Sequence, residues 1–331
     1  MKTLLIPEKD IEGLLSMREV IEAVEEVFKA KGLGKVEMPS KVYVNFPKGD
    51  FRVMPCYIST LGIGGVKIVN VHPKNPEKYG LPTVMAVILL LDPETGKPVA
   101  VMDGTWITNM RTGAAGGIAA KYLARRDSKI VGIVGAGVQA RTQLLALNEV
   151  LKIEEVRVCA RTLAETEIFR EKMEHLGLNV VPEENIEDVV KGCDILVTAT
   201  PVTTPIVKSE WVSEGTHINA IGADAPGKEE LDPKILKRAK IVVDDLEQAC
   251  HSGEVNVPLV RGVISKEDIH AQLGEIIVGK KPGRLSEEEI TIFDSTGLAI
   301  QDIATATLVY EKARASDLGF EVELLSNASS E

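Results

Sequence analysis

The chain has 331 residues, 44% of them hydrophobic and 26% charged, with a formal net charge of −11, room for two domains with sizeable cores. That acidic balance argues against nucleic acid or an anionic membrane as a partner, since either calls for a basic face. Four scattered cysteines (Cys56, Cys159, Cys193, Cys250) without a CxxC pair, and five histidines without HxH or HExxH spacing, point to no metal, no disulfide framework and a reducing cytoplasm.

The opening MKTLLIPEKD has a short apolar run broken by Pro7 and charges, unlike a secretory signal. No stretch approaches the ~18–20 apolar residues of a membrane helix. The first helix is expected over SMREVIEAVEEVFKAKGLG: Ser16 and Glu19 form a capping box, Val20, Val24, Val27 and Phe28 one apolar face, and Gly32 the C-terminal cap. Residues 36–105 read as strands joined by tight turns. KVYVNF alternates, PKGD turns, VMAVILLLD is a buried strand, PETGKP turns and VAVMDG follows, which implies a largely antiparallel sheet.

Three cations in this half invite a chemical reading. Lys67 sits inside the apolar run GGVKIVNVHP; burial would lower its pKa into the acid–base range, unless it faces solvent on an edge strand. Arg111, in NMRTGAAGG ahead of small residues suited to a helix start, could bind a phosphate or substrate carboxylate, or form a surface ion pair. Arg52 in GDFRVMP is similar, and His72 is near enough in sequence to line the same pocket as Lys67.

From about residue 128 short apolar runs alternate with helical stretches, a βαβ rhythm that implies a doubly wound parallel sheet. Its helices are expected over VQARTQLLALNEVL, LAETEIFREKMEHLG and KEELDPKILKRA, and EITIFDSTG closes the pattern. The helix LAIQDIATATLVYEKARA lies beyond that sheet and could pack back on the N-terminal domain, while SNASSE is expected to fray.

IVGIVGAGVQA places a GxGxxA turn between a strand and a helix. Gly135 permits the tight turn, Gly137 lets backbone approach a pyrophosphate, and Ala140 allows close helix–strand packing. Val138, which follows the turn, is a further cofactor-binding candidate. The next strand ends in Ala160, Arg161 and Thr162, where an NAD site carries an acid. Arginine can neutralise a 2′-phosphate and threonine can hydrogen-bond it, so NADP is favoured over NAD; the alternative is a solvated Arg161 with Glu165 on the ribose. Asp224 ends the apolar run HINAIGAD, where a strand's carboxyl end faces the ligand crevice. It suits proton exchange or, equally, the N-cap of a helix beginning near Lys228.

Taken together, RVMP, VKIVNVHP, LPTVMA, AVMDG, RTGAAGGIAAKYLA, GAGVQA, HINAIGADAPGKEELD and FDSTGLAIQD resemble the ornithine cyclodeaminase/mu-crystallin family over nearly the whole chain, and within it the archaeal alanine dehydrogenases. The resemblance implies a homodimer. Each subunit would carry a substrate and dimerisation domain (1–115 with 300–325) and a Rossmann domain (116–299). It implies Lys67 as the substrate-contacting acid–base lysine, Asp224 as the catalytic carboxylate and Lys41 on the substrate carboxylate. Thr83, Arg111, Gln139, Thr200, Ala220, Ile221, Gly222, Lys228 and Ser295 match cofactor-contacting positions.

The chain departs from the ornithine-acting members at Arg52, where an acid would receive the distal amine; a cation there repels it. The expectation is therefore an NAD(P)-dependent oxidoreductase interconverting a small amino acid and its imino or keto acid. Alanine/pyruvate and proline/Δ1-pyrroline-2-carboxylate lead as substrates. Ornithine cyclodeaminase with catalytic NAD and a non-catalytic small-ligand binder are the alternatives.

Overall fold

The computed structural model describes residues 2–325; the fraying expected of SNASSE lies outside them. The chain forms an α/β structure of two compact units, Met1–Arg111 with Leu298–Glu331, and Thr112–Gly297.

In the first unit, the helix Met17–Gly32 starts as its sequence dictates. Ser16 Oγ accepts from the Glu19 amide, and the Glu19 carboxylate accepts from the Ser16 amide at 2.9 Å. Val20, Val24, Val27 and Phe28 are buried. The stop differs from expectation: Gly32 is still helical and buried, and the left-handed residue is Gly34, at φ +70°. Amides of Leu33, Gly34 and Lys35 there pick up the last free carbonyls.

The sheet of this unit is built from β1 (Lys2–Ile6), β2 (Val36–Glu37), β3 (Val42–Phe46), β4 (Gly49–Ile58), β5 (Ile63–Val71), β6 (Val84–Leu91) and β7 (Pro98–Asp103). A late strand, Phe320–Glu323, joins its edge, giving the order Phe320–Glu323, β1, β7, β6, β5, β4, β2, with β3 also on β4. Every pair is antiparallel except β1 with β7. Cross-strand register fixes the two faces. Tyr43, Arg52, Met54, Lys67, Ile88 and Met102 share one, against which the helix Ala299–Ala315 packs. Val42, Ile68 and Val87 stand on the other, 57%, 47% and 51% exposed.

The second unit carries an eight-stranded, wholly parallel sheet. Its strands are β8 (Ile130–Val134), β9 (Glu155–Cys159), β10 (Asn179–Pro182), β11 (Ile195–Thr198), β12 (His217–Ala220), β13 (Ala239–Val243), β14 (Ile269–Gln272) and β15 (Ile290–Asp294), in the order β10-β9-β8-β11-β12-β15-β13-β14. This is a doubly wound Rossmann sheet whose order reverses between β8 and β11, where ligands bind in such folds. Alternate residues feed two cores: Ile195 and Val197 join one cluster, Leu196 the other.

Two expected helices are placed differently. KEELDPKILKRA is helical only over Pro233–Arg238, capped by the Asp232 carboxylate accepting from the Lys234 amide at 2.9 Å, with Pro233 at the first helical position. Glu229 and Glu230 before it are buried in a non-helical segment. Arg111 does not precede a helix start. The helix runs over Thr105–Leu123, its start fixed by the Asp103 carboxylate accepting from the Thr105 and Trp106 amides, and Arg111 lies inside it. No helix among the described residues is long and apolar enough to cross a membrane. The four cysteines are free thiols.

Candidate functional site

Lys67 lies in β5, hydrogen-bonded on both sides by β4 and β6, and is fully buried. The edge-strand alternative therefore fails. A buried ammonium costs several kcal/mol unless it is paired. Its partner comes from the far end of the chain: Asp302 Oδ2 lies 2.7 Å from Lys67 Nζ, which also donates to Thr108 Oγ1 at 3.3 Å. Asp302 is itself fully buried and shared, since its Oδ1 accepts from Arg111 Nε at 2.8 Å. Arg111 Nη1 donates to Gln301 Oε1 at 2.8 Å. Arg111 is thus neither a surface cation nor half of a surface pair. It is one arm of a buried Lys67–Asp302–Arg111 bridge.

Burial holds the Lys67 amine down to about 7, helped by the Arg111 and Lys41 charges and opposed by Asp302. An amine titrating near neutrality can give and take a proton at working pH. Lys41 is buried as well. Arg52 shares the Lys67 face, its guanidinium 5.2 Å from the Tyr43 ring centroid and 3.2 Å from Asp50 Oδ2. Thr83 also lies in this unit, its carbonyl accepting from the His72 amide at 2.8 Å. His72 does not line the surroundings of Lys67. Five residues along a strand span about 16 Å and end on the opposite face, and the His72 ring sits 6.0 Å from that of Phe46.

Asp302, Gln301 and Thr108 went unread as site residues in the sequence. The available signal was an acid and an amide inside the otherwise apolar run LAIQDIA.

In the second unit, Gly135 and Gly137 are glycine for different reasons. Gly135 has φ +106°, and a Cβ there would stand 2.7 Å from the Ala199 carbonyl oxygen; the fold itself demands it. Gly137 has φ −75° and is exposed, and an added Cβ would meet nothing within 4 Å. No neighbouring atom requires glycine at 137, which leaves the backbone there open to the close approach of a ligand. Val138 and Gln139 open the helix Val138–Val150, and Ala140 is buried against its surroundings. Its first amides have no side-chain cap, which suits a pyrophosphate.

After β9, the Arg161 side chain is 88% exposed and pairs with Glu165 at 2.7 Å. Thr162 caps the helix Leu163–Met173 by accepting from the Glu165 amide at 3.3 Å. Across the reversal point, Thr200 follows β11, and Ala220, Ile221 and Gly222 end and follow β12. Ser295 follows β15 and is buried; among the described residues its Oγ has no hydrogen-bond partner, while its amide donates to the Ala220 carbonyl at 3.1 Å. An open glycine at the phosphate turn and an orphaned hydroxyl beside β12 fit a bound dinucleotide. Asp224 forms an ion pair with Lys228, a third exposed, and no helix begins there for it to cap. Among the described residues no group of His, Cys, Asp and Glu could hold a metal ion.

Comparison with known proteins shows the family. The sequence model described as the ornithine cyclodeaminase/mu-crystallin family matches residues 1–317. An alanine dehydrogenase of Archaeoglobus fulgidus is 55% identical over 325 residues, 98% of this chain and 99% of that protein. The solved structure of an archaeal alanine dehydrogenase dimer with bound NAD is 54% identical, with a TM-score of 0.95 over 98% of this chain and 100% of that one. A Thermococcus litoralis Δ1-pyrroline-2-carboxylate reductase, solved with NADH and L-proline, is 44% identical with a TM-score of 0.94, covering 97% and 100%.

Proposed function

The chain belongs to the ornithine cyclodeaminase/mu-crystallin family, and on that premise we propose that it is an NAD(P)-dependent oxidoreductase. It interconverts an L-amino acid and its imino or keto acid, with alanine/pyruvate plus ammonia first and proline/Δ1-pyrroline-2-carboxylate second. One observation carries this reading: a buried lysine amine, brought to about 7, held beside Arg111 by a shared carboxylate. When bound, the nicotinamide is the hydride donor or acceptor.

Lys67 protonates the imine nitrogen in reduction and receives the proton in oxidation. Lys41, Arg52 and Arg111 offer charge-assisted hydrogen bonds to the substrate carboxylate. Asp302 keeps Lys67 and Arg111 in place. Asp224, tethered by Lys228, is the proton-relaying carboxylate of the dinucleotide unit. Gly135, Gly137, Val138 and Gln139 take the pyrophosphate, and Thr83, Thr200, Ala220, Ile221, Gly222, Lys228 and Ser295 are further cofactor contacts.

Arg161 and Thr162 support use of NADP, although Arg161 must leave Glu165 to meet a 2′-phosphate; the two similar structures hold NAD or NADH. The exposed apolar face carrying Val42, Ile68 and Val87 is where a second copy docks, consistent with the archaeal dimer. Sedimentation as a monomer at micromolar concentration would remove that part of the proposal.

The deciding assay follows NADPH and NADH consumption with pyruvate plus ammonium, and separately with Δ1-pyrroline-2-carboxylate. Turnover with pyruvate identifies an alanine dehydrogenase; turnover with the cyclic imine alone identifies a proline-forming reductase. Conversion of ornithine to proline without net NADH would replace both with the lyase.

A further inference from the structure

Among the carboxylates buried in the dinucleotide unit outside every role assigned above, Glu230 and Glu254 form a linked pair. Glu230 and Glu254 have no exposed surface. Glu230 reaches back from the segment before the helix Pro233–Arg238. Its Oε1 accepts from the Thr200 amide at 2.7 Å and the Thr200 hydroxyl at 2.6 Å, and its Oε2 from the Gly222 amide at 2.9 Å. Thr200 stands two residues past the end of β11 and Gly222 two past the end of β12. One carboxylate therefore ties together two neighbouring strand-end turns. Residue 222 is glycine for the same reason: a Cβ there would fall 2.5 Å from Glu230 Oε2 and 2.2 Å from the Thr200 carbonyl oxygen.

The tie defines the charge state. Burial pushes the Glu230 carboxyl up, but it accepts three hydrogen bonds, two on Oε1 and one on Oε2, and these oppose that rise and favour the carboxylate. Glu254 accepts from the Glu230 and Leu231 amides at 2.9 and 2.7 Å. Burial and the neighbouring Glu230 charge push its carboxyl well above the usual range, so the proton of the pair sits on Glu254.

The phosphate turn and the Arg161–Thr162 segment follow β8 and β9, which assigns the pyrophosphate and adenosine ribose to that side of the reversal point. The turns after β11 and β12 lie on the other side and face the other half of the cofactor. We propose that Glu230 is a positioning residue that locks the Thr200 and Gly222 turns in the geometry that receives the nicotinamide half. This rests on the dinucleotide reading above.

Glu230→Gln is the test, because an amide can accept on one side only and turns an N–H toward Thr200 or Gly222. NADH and ADP binding are titrated for parent and variant. Losing a hydrogen bond to a charged group predicts an NADH dissociation constant raised about tenfold or more, with ADP, which reaches only the adenosine side, bound within twofold of the parent. Unchanged NADH affinity overturns the proposal. Equal weakening of NADH and ADP overturns it too, since Glu230 would then support the fold in general. If Glu230→Gln does not fold, Glu230→Asp, which keeps the charge but is too short to reach both turns, is read by the same two titrations. A parent chain that binds neither nucleotide refutes the dinucleotide reading itself, a distinguishable failure.

Discussion

Each unit of the molecule buries a carboxylate at its functional end, and the two are satisfied in opposite ways. Asp302 is gripped by full charges, the Lys67 ammonium and the Arg111 guanidinium, 2.7 and 2.8 Å away. Glu230 is gripped by dipoles, two amides and a hydroxyl, with a second carboxyl next door. Charge against charge tunes a proton affinity, since moving Asp302 would change what Lys67 can hold. Dipoles against charge fix a shape, since amides neither titrate nor swing. A catalytic amine needs the first arrangement and a ligand-binding turn the second.

The largest expected effect sharpens the first side. Lys67→Ala removes the proton donor while leaving Asp302 its Arg111 partner, so the chain folds and turnover drops about 10²–10⁴-fold in steady-state assays. Near-normal turnover would break the assignment. Asp302→Asn is the next largest. It strands Lys67 and Arg111 without their anion, and breaking such a buried pair costs about 3–5 kcal/mol, to be read by denaturant unfolding.

The same variant moves a pH profile. Reduction needs protonated Lys67, so kcat/KM for the imine falls as pH rises through about 7 in the parent, while amino-acid oxidation rises over that range. Asp302 supports the Lys67 proton against burial, Arg111 and Lys41, so Asp302→Asn shifts both limbs to lower pH. An unmoved limb would mean that the titrating group is not Lys67.

On the dipole side, Glu254→Gln replaces a neutral acid with a neutral amide that keeps an acceptor for the Glu230 and Leu231 amides. NADH affinity is then expected within about twofold of the parent, the scale of a conserved neutral hydrogen bond. A tenfold loss would place the negative charge on Glu254 instead. The smallest effect belongs to Arg161→Ala: a rim arginine on a phosphate is worth about 1 kcal/mol or a little more, so KM for NADPH should rise several-fold with KM for NADH unchanged. Equal KM changes would remove Arg161 from 2′-phosphate recognition.

How much of this was legible in the sequence depended on range along the chain. The glycine turn, the Ser16–Glu19 cap and the βαβ rhythm are local, each decided by residues within one or two turns of each other. Lys67 could be flagged as a lysine in an apolar strand, but its burial depends on β4 and β6 flanking it. Its carboxylate partner also bridges to Arg111, 191 residues away, and no local period reports that. KEEL misled for the opposite reason. Charges ahead of a helical pattern look like its solvent face, whereas Asp232 and Pro233 set the start later and leave Glu229 and Glu230 to be buried.

The return of the helix Ala299–Ala315 to the first unit has a consequence for biosynthesis. The dinucleotide unit is one continuous stretch, Thr112–Gly297, and can fold as it leaves the ribosome. The first unit is made earlier yet finished later, since the helix covering its sheet and the counterion of Lys67 arrive only after residue 297. The buried setting that holds the Lys67 amine at about 7 therefore depends on a segment made after the whole dinucleotide unit.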